Sequence, residues 1–141
     1  MQPDTGGYQM ENFAASWAPR VLSLLRIMTG LLFLQYGIAK LFKWPPIPMF
    51  EKVELFSLYG LAGSLELVGG ILLILGLFTR PVAFIVAGEM AFAYFMGHAP
   101  RGFMPILNNG GLAIMFSFVF LYLACAGGGP WSADAAIRNK N

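Results

Sequence analysis

The sequence predicts an all-α protein, a four-transmembrane-helix antiparallel bundle, and three observations predict it. Hydrophobic residues make up 57% of the 141-residue chain and charged residues only 11%, with mean hydropathy +0.66. A soluble domain carries about 25% charged residues, so too little polar surface is present to cover a water-exposed globule. The apolar residues also fall in long runs, as a bilayer requires. Finally, the connections between runs are short and rich in Pro and Gly, which makes neighbouring helices antiparallel. The length allows one domain and no separate soluble module.

Each element follows from local signals. Residues 1–20 read as a polar N-terminal tail, with Pro19 as a first-turn residue of the first span, residues 21–42. Lys43-Trp44-Pro45-Pro46 stops that helix, because Pro45 forces its predecessor out of the helical region. In the connection to Ser57, Met49, Phe50, Val53 and Phe56 share one face with charges between them, which predicts a short helix lying on the headgroups. A plain ordered loop is the alternative. The second span is residues 58–79, and Arg80-Pro81 reads as a tight turn into the third, residues 82–97. An irregular loop, residues 98–109, leads to a short fourth span, residues 110–126, which puts Asn108 and Asn109 at the interface. Gly127-Gly128-Gly129 ends it, and in the polar C-terminal tail, residues 128–141, Ser132 or Asp134 is a candidate cap for one turn of surface helix. The membrane domain is thus residues 21–127, with both termini on one side. The first apolar run is too long, and lacks the flanks, for a cleaved signal peptide. Arg20, Arg80, Arg138 and Lys140 on the terminal side outnumber Lys43, Lys52 and Arg101 on the other, a small bias toward cytoplasmic termini.

Several functions are excluded. A net charge of +2 without a basic cluster does not suit nucleic acid. The single cysteine, Cys125, forms no intrachain disulfide and reads as a small packing residue. With His98 the only histidine, neither a bis-histidine haem nor a multi-histidine metal centre is expected within one chain. No glycine loop for a phosphate or dinucleotide is present.

Four charges remain inside the spans: Arg26, Lys40, Glu66 and Glu89. Each costs roughly 2.5 to 3.5 kcal/mol near a span centre on insertion scales, so all four are expected to turn inward. Arg26, Gly30, Phe33, Gly37 and Lys40 recur at steps of four and three, and so do Gly63, Glu66, Gly70, Leu73 and Gly76. Glycines on the charged face let a second helix backbone approach closely. Helical rise places Arg26 ~8 Å and Glu89 ~12 Å from the terminal side, and Lys40 ~3 Å and Glu66 ~12 Å from the other. The expected partners are therefore Arg26 with Glu89, or with both glutamates, and Lys40 with Glu66. Two readings stay open: pairs that lock helix register, and a pocket that carries protons or binds a polar head group such as a quinone's. Gln35, Tyr36, Tyr94 and Tyr122 could add hydrogen-bonding groups to such a pocket, and His98 a proton group near the surface.

The first-span pattern from Arg26 through Gly30, Phe33 and Gly37 to Lys40 resembles the DoxX family of bacterial membrane proteins. So do Gly63-x-x-Glu66-x-x-Gly69-Gly70, then Gly76-Leu77-Phe78-Thr79-Arg80, the loop His98-Ala99-Pro100-Arg101-Gly102-Phe103, and the ending Gly127-Gly128-Gly129-Pro130-Trp131-Ser132-Ala133-Asp134. The resemblance runs from Arg20 to Asp134. It implies a multi-pass protein of the bacterial inner membrane, associated with protein partners in a redox complex, because the family takes its name from a subunit of thiosulfate:quinone oxidoreductase. The lack of electron-carrying ligands in the sequence leads to the expectation of a chain that is not catalytic alone, with a quinone as candidate ligand. One position departs: relatives often carry a glutamate where this chain has Gly111, which leaves Glu66 and Glu89 as its intramembrane acids.

Overall fold

The computed structural model describes residues 5–140, and residues 1–4 of the expected N-terminal tail, with Asn141, lie outside them. The described residues are all helix and connection, without strands. Four long helices cross one another: α1 (Thr5–Phe42), α2 (Leu58–Leu75), α3 (Thr79–Ala93) and α5 (Gly111–Ala126). Two short ones lie at the ends, α4 (Pro105–Asn108) and α6 (Ala133–Arg138). Gln9–Phe42, Leu58–Leu75 and the continuous helical run Thr79–Arg101 are long and apolar enough to cross a membrane, and α5 is a shorter apolar helix.

Packing is antiparallel throughout. Gly37 faces Gly63 and Leu67, while Gly30 faces Gly70 and Ile74, so α1 and α2 run in opposite directions. Ser117 of α5 donates to the Ala87 carbonyl of α3 at 2.9 Å, and Arg80 reaches the carbonyls of Ala124, Cys125 and Ala126. Those last carbonyls of α5 have no partner within the helix, and the guanidinium supplies one. Between the pairs lies a core of Phe33, Leu73, Val86, Met90, Phe116, Phe120 and Leu123. Phe33 meets Phe120 edge-on with centroids 4.8 Å apart, and Phe116 at 5.6 Å, the geometry ring quadrupoles favour.

Several boundaries differ from the sequence expectation. The residues read as a polar tail continue α1 upstream to Thr5, with Pro19 inside the helix. Gln9, Met10, Glu11, Ala14, Ala15 and Ala18 are good helix formers, and with Met10, Phe13 and Trp17 exposed the segment is less polar than the expected tail. Arg20 donates to the Ser16 carbonyl at 3.1 Å beside the proline. At about 1.5 Å per residue this 38-residue helix is about 57 Å long, nearly twice a hydrocarbon core. The headgroup helix expected around residues 49–56 is a single 3₁₀ turn, Pro48–Phe50, followed by tight turns. Lys43 prevents a longer helix there: at φ 60° it closes α1, and its ammonium binds the carbonyls of Lys40, Phe50 and Val53 at 2.8, 2.9 and 2.6 Å. The turn between the second and third spans falls at Gly76–Phe78, earlier than Arg80-Pro81. Gly76 takes φ +68°, and Leu77 N–H closes on the Leu72 carbonyl at 3.0 Å, a left-handed helix stop. Pro81 instead sits in the first turn of α3, where no helical N–H is needed.

Candidate functional site

A cavity of roughly 370 Å³ opens between the helices in the half of the bundle away from the termini. Lys40 of α1, Glu66 of α2 and Glu89 of α3 all line it. Helical spacing places two of them: Lys40 follows Gly37 by one turn and Glu66 follows Gly63 by one turn, so the glycine contact that draws α1 against α2 also brings the two charges together. Lys40 Nζ donates to Glu66 Oε1 at 2.5 Å, with both side chains almost wholly buried. The ammonium also stands 5.3 Å from the Phe50 ring centroid, so the 3₁₀ turn covers it.

The remaining acceptors of this cluster have no partner. Glu66 Oε2 and both carboxylate oxygens of Glu89 are buried without a hydrogen bond. A buried carboxylate oxygen without a donor is costly, by about 1 to 3 kcal/mol or more for a charged group. The rest of the wall is mainly apolar and aromatic, including Phe33, Tyr36, Met90 and Phe116. Toward the loops the lining reaches Arg101 and Asn109, which are exposed, and His98. There α3 widens into a π-helical turn, Tyr94–His98, before a 3₁₀ turn at Ala99–Arg101, a distortion frequent at functional sites.

Arg26 is elsewhere, and its expected pairing with Glu89, or with both glutamates, is corrected. Its fully buried guanidinium binds backbone carbonyls: Nε to Gly128 at 2.8 Å, Nη1 to Leu73 and Ile74 at 2.5 and 2.6 Å, and Nη2 to Trp131. These are the C-terminal carbonyls of α2 and the chain after α5, so Arg26 fastens the tail across the terminal end. Gly128 and Gly129 allow it, since a Cβ on Gly129 would meet Ser23 and one on Gly128 would meet Ser132 and Thr79. Asp134 completes the clasp. Its carboxylate accepts from the Phe78 and Thr79 amides at 2.8 Å each, capping α3, while Ser132 caps α6 by accepting from Ala135 at 3.2 Å. Burial pushes the Asp134 carboxyl upward, but the Thr79 and Phe78 amides and the Arg26 charge outweigh it and hold the group below its ordinary 3.8.

The other proposed pocket residues divide. Tyr36 and His98 line the cavity. Gln35 does not: it is exposed on the outer face of α1, about half a turn from the charged stripe. Tyr94 stacks on His98, centroids 6.4 Å apart, and packs against Gly110 behind the wall. Tyr122 is exposed, and Cys125, read as a packing residue, is exposed as well. Among the described residues no three His, Cys, Asp or Glu side chains gather as a metal site.

Long apolar helices in one antiparallel bundle, enclosing ionisable groups, define an integral membrane protein. The chain belongs to the DoxX family, whose model matches residues 21–99. It is 41% identical over 134 residues to an uncharacterized protein of Haemophilus influenzae, covering 92% of this chain and 99% of that one. It is 28% identical over 151 residues to an uncharacterized membrane protein of Mycobacterium tuberculosis, covering 90% and 91%. No solved structure matches.

Proposed function

We propose that this protein is a small integral subunit of, or accessory to, a quinone-linked oxidoreductase complex of the bacterial inner membrane, with cytoplasmic termini. The observation that carries the reading is the set of three partnerless carboxylate oxygens on Glu66 and Glu89, in a largely apolar cavity. A hydroquinone brings two hydroxyl donors on a flat ring, which these acceptors and the walls of Phe33, Tyr36 and Phe116 suit. Lys40 orients Glu66, and the carboxylates hold or take up protons at the ring oxygens. Electron transfer falls to partner chains. Purification in native membrane, with mass spectrometry of co-eluting chains and extraction of bound quinone, tests the proposal. Larger redox subunits and a retained quinone are expected, and a lone, quinone-free protein overturns it.

One observation favours a second reading, a carrier of small molecules: the charged cavity reaches exposed residues at the loop end. The two readings separate on Glu66→Gln. Loss of quinone-dependent turnover in an assembled complex supports the first, while unchanged turnover with lost solute uptake supports the second. Unchanged turnover with reduced assembly leaves a scaffold.

A further inference from the structure

Charge, rather than hydrogen bonding alone, distinguishes what this cavity accepts. A single cation, Lys40, faces two carboxylates, and its ammonium is committed to Glu66 Oε1. Glu66 is only 2% exposed, its second oxygen is buried without a donor, and Glu89 has none for either oxygen, in two residues that both line the cavity. With both carboxylates ionised, the cluster lacks one positive charge and several donors together. Arg101, the other cation on the wall, does not supply them. It is an exposed rim residue whose guanidinium is bound to the Gly97 carbonyl at 3.0 and 2.8 Å.

We infer that this cavity is a binding site for a lipophilic amine, a singly charged ammonium on an aromatic or alkyl body, with its nitrogen seated between Glu66 and Glu89. An ammonium carries both missing quantities at once, the charge and up to three N–H donors. Phe33, Tyr36 and Phe116 line the same cavity and supply aromatic surface beside the carboxylates for the body and the cation. The volume, roughly 370 Å³, is at the small end of ligand pockets, which suits a compact single-ring body. A neutral isostere of the same shape fills the walls equally and leaves the charge unanswered. The inference rests on the cavity alone and stands without the redox reading.

The test uses the full chain in lipid nanodiscs, titrated calorimetrically with phenylbutylamine and, separately, phenylbutanol at neutral pH, each corrected with empty nanodiscs. The amine is expected to bind at least about tenfold more tightly than the alcohol, the scale of one charge-assisted contact. Glu89→Gln is expected to remove most of that ratio while leaving the alcohol's affinity unchanged. Equal affinities in the wild type overturn the inference, since a proton then neutralises the cluster instead; that comparison needs no variant to fold. A ratio that survives Glu89→Gln overturns it too. Decylubiquinol separates the two proposals. Amine binding that the quinol does not displace upholds this inference and removes the quinol from the cavity, whereas quinol binding without amine binding does the reverse.

Discussion

Arg26 illustrates how one buried residue acts through the backbone. Four carbonyls from two distant segments converge on its guanidinium, and a planar fork of donors suits them as a lysine's point charge does not. Arg26→Met strips all four carbonyls of their guanidinium donors, leaving Leu73 only the Gly76 amide and Gly128 only the Ser23 hydroxyl, and is expected to cost on the order of 3 to 5 kcal/mol, with Arg26→Lys recovering only part. Thermal unfolding in detergent measures it, and a loss within about 0.5 kcal/mol, ordinary for a surface substitution, contradicts the clasp. Asp134 extends the argument to pH. Its folded pKa is below the ordinary 3.8, so its contribution is complete above the unfolded value and disappears as pH falls through the folded one. Asp134→Asn is accordingly expected to lower stability at neutral pH and to flatten the decline below about pH 4. Unfolding midpoints across an acid series check this, and parallel curves for wild type and variant would show that the carboxylate is uncoupled. The Arg26 partners were not legible in the sequence. Depth along a helix suggested Glu89, but backbone carbonyls have no sequence signature, and nothing before the fold shows that the chain after Gly127 turns back. Lys40 and Glu66 were legible because both sit on glycine-marked stripes of adjacent helices.

Among the elements, the α1–α2 seam decides the geometry of the cavity. A Cβ on Gly37 would stand 2.5 Å from the Leu67 amide nitrogen and 2.8 Å from the Gly63 carbonyl oxygen, and both are backbone atoms that cannot swing aside. One on Gly70 would meet Leu34 at 2.8 Å. Gly37→Ala must therefore push the helices apart, one turn from the Lys40–Glu66 contact, at a cost of about 1 to 3 kcal/mol. Gly88 is the control, because it lies within α3 and a Cβ there meets nothing within 4 Å. Gly88→Ala should be neutral or stabilising by up to about 1 kcal/mol, since alanine loses less chain entropy on forming a helix. Comparing both variants by heat-induced loss of the monodisperse gel-filtration peak tests the seam, and equal tolerance of the two would discard it. This stripe was readable because helical period converts spacing directly into a shared face. The connection at Pro48–Phe50 was not, because what shortens it is the Lys43 ammonium binding three carbonyls, a tertiary contact that outweighs amphipathic spacing.

Across the whole molecule, the two ends of the bundle differ in kind. At the terminal end, Arg26, Asp134 and the glycine-rich tail tie α1, α2, α3 and α5 together. At the loop end, the cavity passes Ala93 and His98 to the exposed Arg101 and Asn109. Composition and run length made the helical bundle readable in advance, because a bilayer constrains both. The asymmetry of closure was not readable, since it depends on where the tail docks. The asymmetry has a measurable consequence for access. In a Cys125→Ser background, Ala93→Cys places a thiol on the cavity wall and Ser23→Cys places one under the clasp, where Ser23 is fully buried. A small water-soluble maleimide added to sealed vesicles is expected to modify residue 93 from the loop side alone, and residue 23 from neither side. Adding Arg26→Met should open residue 23 to the terminal side and leave the labelling at 93 as before. Modification of residue 93 from the terminal side in the otherwise intact protein would mean that the cavity runs through the bundle. The clasp would then be a surface ornament, and a passage open at both ends would have to replace a pocket as the basis of any function.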